Sequence, residues 1–549
     1  MTAVEDATPR AGQMSHAEIL QALSGLYMGM FVAILSSTIV TNALPTIVAD
    51  LHAGQSVYTW VIIATLLTTT VSSPIWGKLA DLVSKKLLIQ VSLVVFTAGS
   101  VLSGLAADAG LLIAARALQG VGAGGMLALT QVIMATMITP RERGRYSGYL
   151  GAVLAVATSA GPLIGGVIVD TGWLGWRWCF FVGVPFAIVA MVLLQKTLHL
   201  PVRTRAVRVD WAGAALVTAA ASLLLVWVTF AGDKYAWRSG PTLLMVGGAV
   251  VLALAFVLVE RRAAEPILPL WLFRNRTVVL AIVGGLVIGV GLYAGTTFLS
   301  QFFQLAKDKS PTAAGLLALP MILGLALASG LSGRVITATG RWKPFLVGGA
   351  VLVACGLAVL GLTRDDTPYW RIAIGMALLG VGLGTTLQNL VLAVQNQVRL
   401  DQLGAASTSV SFFRSLGGTV GVSALGAVLA SQVASYTRDG LAHLGGPASG
   451  GGSSVPRLAD LPAPVRAVVE DAYGHATGNL FLYTVPFALL ALVCIMFIKE
   501  VPLRTSHTMP EKAEPEKAEP EKAEPEKAEP EHAEPEHAGA SAENEVRTV

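Results

Sequence analysis

The sequence predicts an all-α integral membrane protein with fourteen transmembrane helices, and three observations predict it. Of 549 residues, 54% are hydrophobic and 13% are charged, where a water-soluble chain carries about 25% charge. The apolar residues lie in long blocks, and a run of about 18 or more with few charges is long enough to cross a bilayer. The 58 glycines supply small residues of the kind that let membrane helices approach closely. A net charge of +4 gives no reason to expect nucleic acid as a partner; the lipid bilayer is the first partner implied.

At about 20 apolar residues per crossing, the spans fall at 24–44, 57–76, 86–106, 110–138, 146–169, 178–198, 211–230, 241–259, 277–303, 312–333, 343–363, 369–393, 404–431 and 478–498. They divide the chain into a cytoplasmic N-terminus (1–23), a six-helix bundle (24–198), a linking segment with two extra helices (199–276), a second six-helix bundle (277–498) and a tail (499–549). Orientation follows from basic residues in short loops. GKLADLVSKK, PRERGR, PVRTRAVR, ERRAAEP with RNR, and GRWK fall on one side, whereas LPTIVADLHAGQS on the other has no Lys or Arg. An even number of spans then puts both termini in the cytoplasm.

Residues 432–477 form a long outer loop containing GGPASGGGSS, and RLADLPAPVRAVVEDAYGHA within it can form a short amphipathic helix. The tail from Pro510 repeats PEKAE and then PEHAE; with no apolar face to bury, it is expected to be disordered. The start, MTAVEDATPRAGQ, lacks the basic and small-residue marks of a cleaved leader, so the first span is expected to be retained. Cys179, Cys355 and Cys494 lie in or beside apolar runs and read as inert thiols, with no disulfide framework or metal-like spacing. No metal or cofactor is expected.

The two bundles repeat one another. Gly77 to Ser84 and Gly333 to Gly340 share a spacing, each pair followed by a basic residue. RALQGVGAGG (116–125) matches MALLGVGLGT (376–385), and SAGPLIGG (159–166) matches SLGGTVGV (415–422). A parallel repeat of this kind implies two bundles rocking about a central site.

These motifs also carry a resemblance. GKLADLVSKK is similar to the loop signature of the major facilitator superfamily, with Ser84 where the family has glycine. GPLIGG resembles the fifth-helix motif of its exporters, and RALQGVGAGG its fourth-helix motif. WRWCFFVGVP (176–185) resembles a segment of the fourteen-helix drug:proton antiporter branch. The resemblance spans about residues 20 to 500 and implies a monomeric, proton-coupled multidrug or antibiotic exporter of a bacterial cytoplasmic membrane, not an enzyme. Its partners would be protons and a small-molecule substrate. It further implies that Gly77, Lys78, Asp81, Lys85 and Lys86 form a conformational latch, here placed on a tight cytoplasmic turn that glycine permits. Gly161, Pro162, Gly165 and Gly166 would form a seal or pivot, with Gly161 and Gly165 on one face for close helix contact.

Arg116 and Arg414 are charges inside spans, and an arginine there costs at least about 2.5 kcal/mol unless partnered or wetted. Either they serve transport, or they bind backbone carbonyls freed by nearby glycines. The related antiporters place an acid in the first helix, but this chain reads LSSTIVTNALP, with Ser36 at the acid's place and the asparagine displaced to Asn42. No Asp or Glu lies in the middle of any expected span. Asp170 near the outer end of the fifth span, Asp50 and His52 in the first outer loop, and Asp81 in the latch stay open as proton sites, unranked.

The interior bias is therefore positive, with neutral polar groups beside it: Ser36, Ser37, Asn42, Gln119, Gln131, Gln388 and Asn389. Tyr293, Phe298, Phe302, Phe303, Phe412 and Phe413 can supply apolar walls or simply pack toward lipid. Such a pocket suits neutral or anionic amphipathic compounds better than lipophilic cations. The rival readings are a metabolite transporter without proton coupling and, from another class, a membrane enzyme or sensor. The latter lacks both a cluster of catalytic groups at membrane depth and an output domain.

Overall fold

A computed structural model describes residues 16–503 except 52–54, 140–141, 172–173, 199, 201–209, 232–234, 264–265, 400–401 and 444–461. The PEKAE tail, the GGPASGGGSS loop, His52 and the N-terminal segment up to residue 15 lie outside the described residues.

The first bundle contains α1 (His16–Asp50), α2 (Gln55–Leu82), α3 (Lys85–Gly104), α4 (Ala109–Met137), α5 (Arg143–Asp170), α6 (Trp178–Phe181) and α7 (Gly183–Thr197). The linking helices are α8 (Trp211–Phe230) and α9 (Gly240–Glu260). The second bundle contains α10 (Arg276–Leu305), α11 (Pro311–Leu317), α12 (Leu319–Thr339), α13 (Lys343–Gly361), α14 (Tyr369–Gln395), α15 (Leu403–His443) and α16 (Ala463–Met496). Helix starts follow local chemistry: the side chains of Asp108, Asp210, Ser239, Asn275 and Ser310 each accept a backbone N–H from the helix they precede, satisfying donors that a helix start leaves unpaired.

Among the described residues, thirteen helices are long and apolar enough to cross a membrane. The expected fifth span is the exception. α5 has 28 residues, but glycines, polar residues and two arginines in its first turn dilute its hydropathy. The expected sixth and tenth spans are each two helices in succession, α6 with α7 and α11 with α12.

Three expectations need correction. α2 runs on to Leu82, so Gly77, Lys78 and Asp81 lie on a helix and not on a turn; Ser84 makes the real break by capping α3. Asp50 is the last residue of α1, not a loop residue. The outer loop assigned to 432–477 is largely helical, because α15 continues to His443 and α16 already begins at Ala463. The amphipathic stretch is thus the opening of the last spanning helix. Polar sequence hid this, since periodicity read for a membrane span stops where the helix leaves the lipid.

In the first bundle α4 lies between α2 and α3, and its glycines make that possible. A side-chain carbon at Gly120 would sit 2.5 Å from the Thr65 carbonyl oxygen, and one at Gly122 would sit 2.6 Å from Phe96 Cα. The two bundles meet along two seams, α2 with α15 and α5 with α12. These are the second and fifth spans of one bundle against the fifth and second of the other, as the repeat implies.

Candidate functional site

Asp81 joins the bundles at the end that carries the basic loops. Its two carboxylate oxygens accept the backbone N–H groups of Gly404 and Ala405, each at 3.0 Å. Those amides belong to the first turn of α15, where donors lack intrahelical partners and the helix dipole favours negative charge. Gly404 has to be glycine here, because a Cβ would strike the Gly77 carbonyl and lie 2.7 Å from Asp81 Cγ. Gly77 serves the same approach from the other side: its Cβ would lie 2.6 Å from Thr408 Cβ. Lys78 is buried, and Lys78 and Lys85 act electrostatically on Asp81. Lys86 does not join them; its ammonium donates to the Gln195 carbonyl at 2.7 Å, in the last turn of α7. The motif resemblance places it with the latch, but the start of α3 turns it toward its own bundle.

A second tie at this end was not singled out in the sequence. Arg143 is buried; its Nε donates to the Ile138 carbonyl at 2.9 Å and its Nη2 to the Ala135 carbonyl at 2.6 Å, capping α4. Its Nη1 reaches across to Gln395 Oε1 of α14 at 2.6 Å, and Gln395 in turn donates to Ser407 Oγ at 2.8 Å. In PRERGR this arginine reads only as a basic loop charge. The signal that could have found it is its place just after a helix end, where a guanidinium can satisfy terminal carbonyls. Gln131 and Gln388 form a third tie, a reciprocal amide pair between the bundles at 3.2 and 3.0 Å.

Arg116 is buried in the first bundle, donating from Nη1 to Gln119 Oε1, while Gln119 donates to Ser100 Oγ at 2.6 Å. Its guanidinium carbon lies 6.0 Å from the Phe180 ring centroid, and its Nε is buried without a hydrogen-bond partner. Neither bond goes to a backbone carbonyl. Arg414 is half-buried and in electrostatic reach of Tyr293. Among the described residues no carboxylate pairs with either arginine.

The pocket candidates divide. Gln131 and Gln388 meet between the bundles, and Ser37, Tyr293 and Arg414 are half-buried, the last two on adjoining helices of the second bundle. Others belong elsewhere. Ser36 is 1% exposed, and its Oγ would lie 2.9 Å from a Cβ on Gly183, so it faces the start of α7. Gln119 is committed to Arg116 and Ser100, and Asn389 donates to the Thr385 carbonyl of its own helix at 2.8 Å. Phe298, Phe302 and Phe303 are buried in the second bundle's own core. Phe412 and Phe413 pack among residues of the linking helices, with Phe413 edge-on to Phe273 at 6.2 Å. Polarity and aromaticity identified these positions, but helical facing sent them into intrabundle contacts.

At the opposite end, Trp176 donates from Nε1 to Asp50 Oδ2 at 2.7 Å and Arg177 stands 3.6 Å from the same oxygen. The WRW segment thus fastens α6 to the end of α1. Gly161 and Gly165 do lie against α1: a Cβ at Gly161 would be 2.5 Å from Thr38 Cβ, and one at Gly165 3.0 Å from the Ile39 carbonyl oxygen. The side chains of Asn42, Pro162 and Asp170, and the surroundings of Gly166, lie outside the described residues. Asp365, Asp471 and His475 bring three metal-type ligand atoms within 4.8 Å of one another, a grouping not legible in the sequence. His475 and Asp471 are already 2.9 Å apart as neighbours on one helix.

Two helical bundles joined by a linking hairpin, with ties between them gathered at one end, define a multi-pass membrane protein of the transporter class. Residues 26–422 match the Major Facilitator Superfamily, and the chain belongs to that family, whose members are transporters and not enzymes. It is 35% identical over 492 residues to an uncharacterized MFS-type transporter of Mycobacterium tuberculosis, covering 88% of this chain and 70% of that protein. It is 33% identical over 503 residues to the multidrug transporter protein MdtP of Bacillus subtilis, covering 91% and 88%. With efflux pump dotC of Dothistroma septosporum the identity is 30% over 505 residues, covering 90% and 86%. Among solved structures it resembles the proton:xylose symporter XylE, with a TM-score of 0.59 and 13% identity over 88% of this chain and 97% of that one. The human organic anion transporter MFSD10 gives a TM-score of 0.57 and 13% identity over 86% and 99%. At that identity these two likenesses concern the fold alone.

Proposed function

We propose that this protein is a fourteen-helix exporter of small amphipathic compounds, driven by proton antiport and working by alternating access in a bacterial cytoplasmic membrane. The observation that carries the reading is the gathering of the Asp81, Arg143 and Gln131 ties at one end of the seams. By the excess of basic residues in its loops, that end is cytoplasmic, so the arrangement is closed toward the cytoplasm. Export requires these ties to form after loading and to break on return. The relatives named as multidrug transporter and efflux pump support the direction of transport.

The favoured substrates are neutral or anionic. Arg414 beside Tyr293, with Gln131, Gln388 and Ser37, offers cationic and neutral polar groups and no described carboxylate, so a lipophilic cation has no counter-charge. Asp81, Asp170 and the outer residues Asp50 and His52 remain the proton-site candidates. A second reading, transport without protons, is favoured by the serines that occupy the usual position of the first-helix acid.

The test is ΔpH in everted vesicles challenged with cationic, neutral and anionic drugs. Collapse triggered most strongly by neutral or anionic compounds, and lost in R414A, is the expected outcome. Substrate movement that leaves ΔpH untouched would select the uncoupled reading, and collapse driven best by cations would overturn the substrate assignment.

A further inference from the structure

The first residues of the segment assigned to the tail are not tail. α16 ends at Met496, and the chain then runs across the end of the second bundle where α13 starts and α14 stops. Ile498 and Leu503 are buried in that bundle's core. Hydrogen bonds to α13 and α14 fasten the stretch between them.

Each of these bonds serves a helix end. α13 begins without a side-chain cap of its own, because the residue before it is Trp342, whose indole has no acceptor. Glu500 supplies that acceptor from the far end of the bundle's sequence. Its Oε1 accepts the N–H groups of Trp342 at 3.1 Å and Lys343 at 3.2 Å, donors that a helix start leaves unpaired. Trp342 is fully buried, and its Nε1 donates to the Val501 carbonyl at 3.0 Å. Asn396 caps the end of α14 and is 2% exposed; its Nδ2 donates to the Pro502 carbonyl at 3.1 Å.

The neighbour of Asn396 gives this strap a role beyond packing. Gln395 ends α14, accepts from Arg143 of the first bundle and donates to Ser407 of α15. A side chain aimed across an interface keeps its bearing only while its own backbone is fixed, and helix ends fray. With Pro502 holding residue 396, the turn that carries Gln395 unwinds only by breaking a buried hydrogen bond.

We propose that residues 500–502 are a strap that fixes the end of α14, with Asn396 as the positioning residue that sets Gln395 to receive Arg143 when the cytoplasmic side closes. This role rests on the alternating-access reading above.

The test uses full-length protein in everted vesicles, with Cys179, Cys355 and Cys494 changed to alanine. One reporter, Ser329→Cys, sits on α12 against Gly151 of α5, the helix that carries Arg143; another, Ser92→Cys, lies buried within the first bundle. Alkylation by a membrane-impermeant maleimide is timed. N396A is expected to speed labelling of Ser329→Cys about fivefold, the factor that goes with losing one hydrogen bond, while Ser92→Cys stays unlabelled. E500A should act in the same direction, and E500Q, which keeps an acceptor oxygen for both amides, should restore slow labelling. In an R143A background N396A should change the rate by less than about twofold, because it acts through a bond already gone. A merely loosened fold would instead label both reporters and add to R143A.

Seam labelling unchanged by N396A, equal labelling of both reporters, or full additivity with R143A would overturn the assignment. R143A alone separates this from failure of the underlying reading. If R143A speeds labelling and N396A does not, only the role of the strap falls. If R143A also leaves the seam reporter silent, the Arg143 tie does not close the seam, and the strap falls together with the closure reading.

Discussion

The two seams between the bundles are built from corresponding helices, yet they are held by opposite charges. At α2–α15 a carboxylate meets the bare amides of a helix start, and glycine backbone lies against Thr408 and Asp81. At α5–α12 the glycine approach is less tight: a Cβ at Gly151 would stand 3.2 Å from Ser329 Cβ and 3.4 Å from Ala326 Cα. The repeat position of Asp81 there is Thr337, whose hydroxyl turns back to the Gly333 carbonyl at 2.9 Å. The charge near that seam is Arg143, and it meets a neutral amide, Gln395. Duplication therefore preserved the shape of the interface and not its chemistry. The anionic seam is also the one the linking helices cross.

The contrast can be broken most severely at Gly77. G77V would drive a branched side chain into Thr408, and overpacking of this kind costs about 1 to 3 kcal/mol or more. Drug-dependent ΔpH collapse should fall by roughly tenfold or more, while G151A, where an added Cβ meets its neighbours at 3.2 Å or more, should stay within about twofold in the same assay. Equal losses would mean the two glycine positions are equally constrained.

D81N comes next. It keeps the shape but removes the charge from two amide contacts, each worth about 1.5 to 3 kcal/mol when charge-assisted. Export should drop about tenfold or more, with the protein still inserted in the membrane.

A smaller effect than that of D81N is expected for R143K. Lysine cannot reach two carbonyls and Gln395 with one fixed fork. A loss of about fivefold, seen as weaker protection of cells against a neutral drug, would place the second tie below the first. A loss larger than that of D81N would reverse the ranking of the seams.

Much of the fold was legible because bilayer thickness forces long apolar runs, and because the internal repeat pairs Gly77 with Gly333 and Arg116 with Met376. Asp81 was legible too, since topology explains lysines in a loop but not an acid among them. Arg143 and Glu500 were not. Both stand just outside a span, where charge counts toward orientation, and both gain their roles from partners 252 and 157 residues away. The pocket failed for a different reason. A polar residue on a membrane helix can face the centre or a neighbouring helix, and only packing decides. Ser36 and Asn389 took the second course.

α15 has 41 residues, a rod of ~60 Å through a hydrocarbon layer of ~30 Å. One end carries the amides that Asp81 holds. Toward the other, Gln432 donates to the Tyr483 hydroxyl at 3.1 Å, and the Tyr436 hydroxyl accepts from Asn479 at 2.9 Å, so α16 stiffens it. A stiff rod magnifies whatever happens at its base: a tilt of about ten degrees at the seam displaces the far tip by ~10 Å along its arc. The molecule thus carries its own pointer, and a pair of spectroscopic labels near the outer tip, in water and clear of lipid, would read the state of the opposite side of the membrane.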